Sequence, residues 1–289
     1  MIVVVCPAAT VTGGPEALHQ LVDSLTRQGF DAGMLYLPGE YHNVPAAYEN
    51  YKFRTVSESD IYPTDVVVIP EVMANEVARF SYARTVLWWL SVDNAPADAL
   101  SVCGDHIAQS FYAWQHLRGH GIDAKMVGDY VHHDFGLGNV PREKWVTFNP
   151  AKGADLAHRF SVLCPDIDLR PIEGMGRSEV ATFLNCCAVF IDFGHQPGKD
   201  RLPREAARCG AVVFINDVGA ARFRGDFPLP QSTFFTDDDA SLYALGDRVR
   251  AVLKDSSPAY SSQVLYHRAI AREQRIFDEQ VSAFAHRFL

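Results

Sequence analysis

The stretch Ile2-Val3-Val4-Val5-Cys6, the loop at 7–14, and Pro15-Glu16-Ala17-Leu18-His19-Gln20-Leu21-Val22-Asp23-Ser24-Leu25 decide the fold. The unbroken apolar run fits a strand buried on both faces, as in a parallel sheet. Pro15 suits a first helical turn, and Leu18, Leu21, Val22 and Leu25 then line one helical face. Strand, loop and helix in that order open a parallel βαβ unit, and the pattern repeats outward from it. Residues 34–37, 65–69, 86–90 and 106–109 read as further strands, with a helix over 111–119. Residues 135–144, Phe-Gly-Leu-Gly-Asn-Val-Pro-Arg-Glu-Lys, read as a linker. The alternation then restarts with strands at 145–148, 167–172, 188–193 and 211–215, and helices at 151–163, 178–184 and 203–208.

This pattern predicts an α/β chain of two Rossmann-like domains facing across a cleft, the first over 1–140 and the second over 141–270. From 259 to 289 a single helical pattern carries the stripe Ile270, Phe277, Val281, Phe284 and Phe288. Its end, 271–289, is expected to cross back and pack across the domains. A cleft between two such domains is a preferred ligand site.

Composition narrows the function. The 289 residues are 48% hydrophobic and 21% charged, a globular balance that excludes disorder, collagen and coiled coil. Lys+Arg 26 against Asp+Glu 35 gives −9, which argues against nucleic-acid binding driven by phosphate neutralisation. It leaves room for an anionic small molecule held by a few placed cations. The six cysteines Cys6, Cys103, Cys164, Cys186, Cys187 and Cys209 form no CxxC pair and read as reduced thiols of a cytoplasmic protein. Residues 1–6 are too short for a secretory apolar region, and no apolar run reaches the ~18 residues of a membrane span.

Four loops at strand ends carry chemistry. Thr12-Gly13-Gly14-Pro15-Glu16 is either a tight strand–helix turn or a place where backbone approaches a ligand at a helix start, and it is not the GxGxxG of a dinucleotide site. In Trp88-Trp89-Leu90-Ser91-Val92-Asp93-Asn94, Asp93 lies just past a strand's carboxyl end, as a general base or as the cap of a turn. The two tryptophans read as core rather than as a sugar platform. In Asn149-Pro150-Ala151-Lys152-Gly153, Lys152 stands at a helix start, either holding a phosphate or solvated. The densest loop is Asp192-Phe193-Gly194-His195-Gln196-Pro197-Gly198-Lys199-Asp200-Arg201-Leu202-Pro203-Arg204-Glu205-Ala206-Ala207. Lys199, Arg201 and Arg204 offer three cations beside a helix start, His195 a donor to a leaving group, and Glu205 a carboxylate for vicinal hydroxyls. Metal ligation is not expected. Asp237-Asp238-Asp239 fits a helix cap, and His132-His133-Asp134 lacks the i, i+4 spacing of a zinc motif.

Together these segments resemble a family of bacterial glycosyltransferases of capsule and lipopolysaccharide type. More distantly they are similar to the GT-B class that includes the retaining sucrose and glycogen synthases. The resemblance spans about residues 12–285 and is most specific over 192–207. It implies a glycosyltransferase moving a sugar from a nucleotide-activated donor to a glycan or lipid-linked acceptor, with no cofactor beyond that co-substrate and no essential metal. Gly13 and Gly14 would lie near the donor, Lys152 would match the lysine on the pyrophosphate, and Glu205 the carboxylate on the ribose. The chain departs from the larger class at Pro197, where a second glutamate stands there. Asp93 and His195 are then the expected catalytic groups, with Lys152, Lys199, Arg201, Arg204 and Glu205 on the donor. Peripheral contact with the inner membrane face would follow from a lipid-linked acceptor. Two rivals are a non-catalytic nucleotide-binding scaffold subunit and a nucleotide-sugar epimerase.

Overall fold

The computed structural model describes residues 1–38 and 44–288. Its elements group into two compact units. One contains Met1–Tyr130, Pro197–Lys199 and Glu273–Leu289; the other contains Val131–Gln196 and Asp200–Arg272.

The first unit is built on β1 (Ile2–Pro7), β2 (Ala32–Leu37), β3 (Val66–Pro70), β4 (Arg84–Trp89), β5 (Asp105–Ala108) and β6 (Lys125–Met126). They form one parallel sheet in the order β2-β1-β3-β4-β5-β6. Alternation along β1 divides the core. Ile2, Val4 and Cys6 pack with α1 (Gly13–Arg27), while Val3 and Val5 pack on the other face with Phe80, Trp89 and Leu117. Leu117 belongs to α2 (Phe111–Gly119). Phe277, Val281, Phe284 and Ala285 complete the α1 side of the core.

The second unit carries β7 (Glu143–Phe148), β8 (Leu169–Pro171), β9 (Cys187–Asp192), β10 (Val212–Asn216) and β11 (Phe234–Phe235). This sheet too is parallel, in the order β11-β10-β9-β7-β8. Its helices are α3 (Ala154–Leu163), α4 (Arg177–Cys186), α5 (Leu202–Arg208), α6 (Asp239–Lys254) and α7 (Ser257–Ser262). In both sheets the chain leaves its first strand, pairs the second on one side and the third on the other. The switch points therefore lie between β1 and β3 and between β7 and β9, where doubly wound sheets place ligands at the carboxyl ends.

Several expectations are redrawn in detail. The helix expected from 151 starts at Ala154, because Gly153 takes φ +75° as its N-cap. The stretch read as a linker contains buried Phe135 and the start of β7, and Arg142 within it donates to the carbonyls of Cys187 (2.7 Å) and Cys209. The single helix expected over 259–289 is two, α7 and α8 (Val264–Phe288), and its last residue lies outside the described ones. Gln263 makes the break. Its side chain accepts from the Val213 amide at 3.1 Å and donates to the Val213 carbonyl at 2.8 Å, closing the edge of β10 that two-residue β11 does not reach. The stripe itself is buried at Ile270, Phe277, Val281 and Phe284, and Phe288 packs partly against the core.

The cysteines form no disulfide; burial pushes the Cys6 and Cys187 thiols up to about 12. Among the described residues no helix is long and apolar enough to cross a membrane.

Candidate functional site

In the second unit, the loops leaving β7, β9 and β10 meet at the switch point. Gly153 and Gly194 let two of them touch through their backbones. A Cβ on Gly153 would stand 2.5 Å from the Phe193 carbonyl carbon, and one on Gly194 2.5 Å from the Lys152 Cβ. The third loop joins through the Ala220 amide, which donates to the Gln196 carbonyl at 2.8 Å. This contact seats Lys152 against the 192–205 loop, where its ammonium lies 2.6 Å from an Asp200 carboxylate oxygen.

Asp192 ends β9 almost fully buried. Its two oxygens accept from the Gly194 amide and from the Gln196 side chain, each at 2.9 Å. Burial first, and then repulsion from Asp200, push its carboxyl up to about 7. Asp200 is raised too, chiefly by burial, against the pull of Lys152. Two carboxyls and one ammonium thus lie close together, Asp192 buried and the Lys152–Asp200 pair partly open to solvent, and a buried carboxyl near neutrality readily keeps its proton.

The remaining candidates in this unit have distinct settings. His195 is exposed, near enough to Asp200 to favour its charged form. Arg204 is fully buried, and its Nε donates to the Asp200 carbonyl at 3.1 Å, which organises the loop from beneath. Arg201 and Glu205, one turn apart, approach to 3.6 Å. The start of α3, capped by no side chain, adds free amides beside Lys152.

In the first unit, Gly13 and Gly14 are the first residues of α1, two positions earlier than Pro15 suggested, and no side chain caps that helix. Trp88 and Trp89 are core, their indoles donating to the Val127 carbonyl (2.9 Å) and to His106 Nδ1 (3.0 Å). Asp93 is exposed, and its carboxylate accepts from the Tyr112 hydroxyl. Its amide donates to the Pro197 carbonyl at 3.4 Å. Lys199 pairs with Glu273 of α8 at 2.9 Å, both largely buried. The site candidates therefore sort into Gly13, Gly14, Asp93 and Lys199 in one unit and Lys152, His195, Arg201, Arg204 and Glu205 in the other.

Three residues of the site region were not singled out from sequence. Asp192 opens the 192–207 loop and Tyr112 falls in the helix read over 111–119, but neither draws a role from sequence. Glu71 falls just past the strand read at 65–69 and draws no role either. Among the described residues, His132, His133 and Asp134 bring potential metal ligands within 4.8 Å of one another. Asp238 caps α6 as expected, accepting from the Ser241 amide at 2.9 Å.

No family model matches the chain, and no curated protein matches it. Solved structures do. Anabaena HepE in complex with UDP and glucose is similar over 99% of this chain and 99% of its own, with TM-score 0.73 and 11% identity. A sucrose-phosphate synthase from Thermosynechococcus elongatus is similar over 99% and 98%, with TM-score 0.68 and 13% identity. The T4 phage BGT in complex with UDP and Mn2+ is similar over 100% and 99%, with TM-score 0.57 and 11% identity. The two parallel sheets of six and five strands are accordingly those of the GT-B glycosyltransferase fold.

Proposed function

We propose that the protein is a glycosyltransferase that moves a sugar from a nucleotide-activated donor to a glycan or lipid-linked acceptor, in the synthesis of a surface polysaccharide at the cytoplasmic face of the membrane. The observation that carries this reading is the meeting of three strand-end loops at the β7/β9 switch point, with Lys152 of one seated against the 192–200 loop of the next. Lys152 and the amides opening α3 suit the donor's diphosphate. Glu205 suits the ribose hydroxyls. His195 is the proposed donor to the leaving phosphate, and Arg201 and Lys199 add positive charge to the loop.

In the transfer, the anomeric carbon gives up its bond to the diphosphate oxygen, and the electron pair leaves with the diphosphate. The acceptor oxygen bonds to that carbon, and its proton passes to Asp93, which the Tyr112 hydroxyl holds in place. Gly13 and Gly14 give the donor sugar a side-chain-free approach to α1. Lysine, arginine and backbone amides take the role that a divalent ion has elsewhere, so turnover is expected to persist in EDTA.

The test is to incubate the protein with a panel of nucleotide sugars and measure release of nucleoside diphosphate and free sugar. Slow hydrolysis of one donor, lost in Lys152→Ala, is expected. One observation favours a scaffold subunit instead: Lys152, Lys199 and Arg201 each already face a carboxylate of their own chain. Nucleotide binding with no hydrolysis or transfer would establish that reading, and interconversion of free nucleotide-sugars without an acceptor would establish an epimerase.

A further inference from the structure

Glu71 is fully buried at the carboxyl end of β3, next to the switch point of the first sheet. No cation is paired with it among the described ion pairs. One carboxylate oxygen accepts from the Leu90 amide at 2.7 Å, and the other has no hydrogen-bond partner. The amides of Ser91 and of Glu71 itself also favour its charge. The placement follows from the sheet. β3 and β4 pair as far as Pro70 and Trp88, and β3 then turns away, leaving the Leu90 amide without a strand partner. The Glu71 side chain takes the place of that missing strand.

The amide it holds belongs to a turn with three duties. The Leu90 carbonyl packs so closely on Gly198 that any Cβ there would overlap it. The Asp93 amide donates to the Pro197 carbonyl. The Asp93 carboxylate is presented outward to the Tyr112 hydroxyl.

We infer that Glu71 is a positioning residue: by holding the Leu90 amide it sets the turn that aims Asp93 and seats Pro197–Lys199. Its catalytic consequence rests on the glycosyltransferase reading; its effect on the turn does not.

The experiment compares wild type, Glu71→Ala and Glu71→Gln by amide hydrogen exchange and by donor-hydrolysis kinetics. In Glu71→Ala, the Leu90 and Ser91 amides are expected to exchange roughly 10-fold faster while Val67 and Val68 of β3 keep their protection. The kcat is expected to fall roughly 10-fold with donor KM little changed, as for a misaimed group. Glu71→Gln, which keeps an acceptor oxygen, restores both. Should Glu71→Ala fail to fold, Glu71→Asp, with the carboxylate drawn back by one methylene, is expected to behave in its place. Unchanged exchange at Leu90 and Ser91 overturns the inference whatever the kinetics. Altered exchange with unaltered kcat reduces Glu71 to a structural role and overturns it as well. If the wild type turns over no donor at all, the glycosyltransferase reading fails, and exchange alone decides whether Glu71 sets the turn.

Discussion

Glu71 and Asp192 are buried carboxyls at the carboxyl ends of β3 and β9, one in each sheet, and both are pushed up to about 7 mainly by burial. A carboxyl raised in the native state stabilises it fully below its unfolded value and loses that contribution as pH rises through the native one. For Glu71 the window runs from its ordinary 4.5 to about 7. The gap corresponds to on the order of 3 kcal/mol. Denaturant titrations from pH 4.5 to pH 8 are therefore expected to show wild type losing about that much relative to Glu71→Gln; parallel curves would contradict it. Two glycines make equally local predictions. Gly153 combines φ +75° with a backbone neighbour where its Cβ would stand, so Gly153→Ala is expected to cost about 2–4 kcal/mol by urea unfolding. Gly198→Ala has ordinary backbone freedom but no room, and about 1–3 kcal/mol is expected there, with a loss of turnover larger than its loss of donor affinity. None of these roles was legible beforehand. Glu71 draws no role from sequence, and only the Leu90 amide of the neighbouring strand's end gives it a task.

Among the elements, those with a strong period were read correctly from sequence, because burial on both faces leaves strands such as Ile2–Pro7 and Cys187–Asp192 almost wholly apolar. The helical stripe of α8 was legible for the same reason. β6 and β11, two residues each, are too short to show any period, and of α6 only the acidic cap that opens it was legible. The break between α7 and α8 depends on a tertiary partner, the Val213 peptide, which no local pattern announces. Gln263→Leu should leave that buried peptide unpaired. A destabilisation of about 1–3 kcal/mol is expected, read as a lower urea midpoint with faster exchange at Val213. A midpoint within error of wild type would mean that the Gln263 pairing with Val213 does not hold the break between α7 and α8.

At the scale of the whole molecule, the chain repeats one architecture, a parallel doubly wound sheet with loops gathered at a switch point, and the second copy concentrates charge there. The sequence made this visible because the 192–207 loop packs His, Lys, Arg, Asp and Glu between a strand and a helix, a density that packing does not require. What it left hidden is how those charges pair. Lys152 meets Asp200, Arg201 meets Glu205, and Pro197–Lys199 belong to the first unit although the residues on either side belong to the second. The central claim is that this loop cluster binds a nucleoside diphosphate. The most direct measurement is a thermal-shift panel of nucleoside mono- and diphosphates on wild type, Lys152→Ala and Glu205→Ala. One nucleoside diphosphate at ~100 times its dissociation constant is predicted to add about 2.7 kcal/mol of stability to wild type, a gain that shrinks in both variants. No shift with any nucleotide in a folded wild type, or a shift undiminished in both variants, would contradict it.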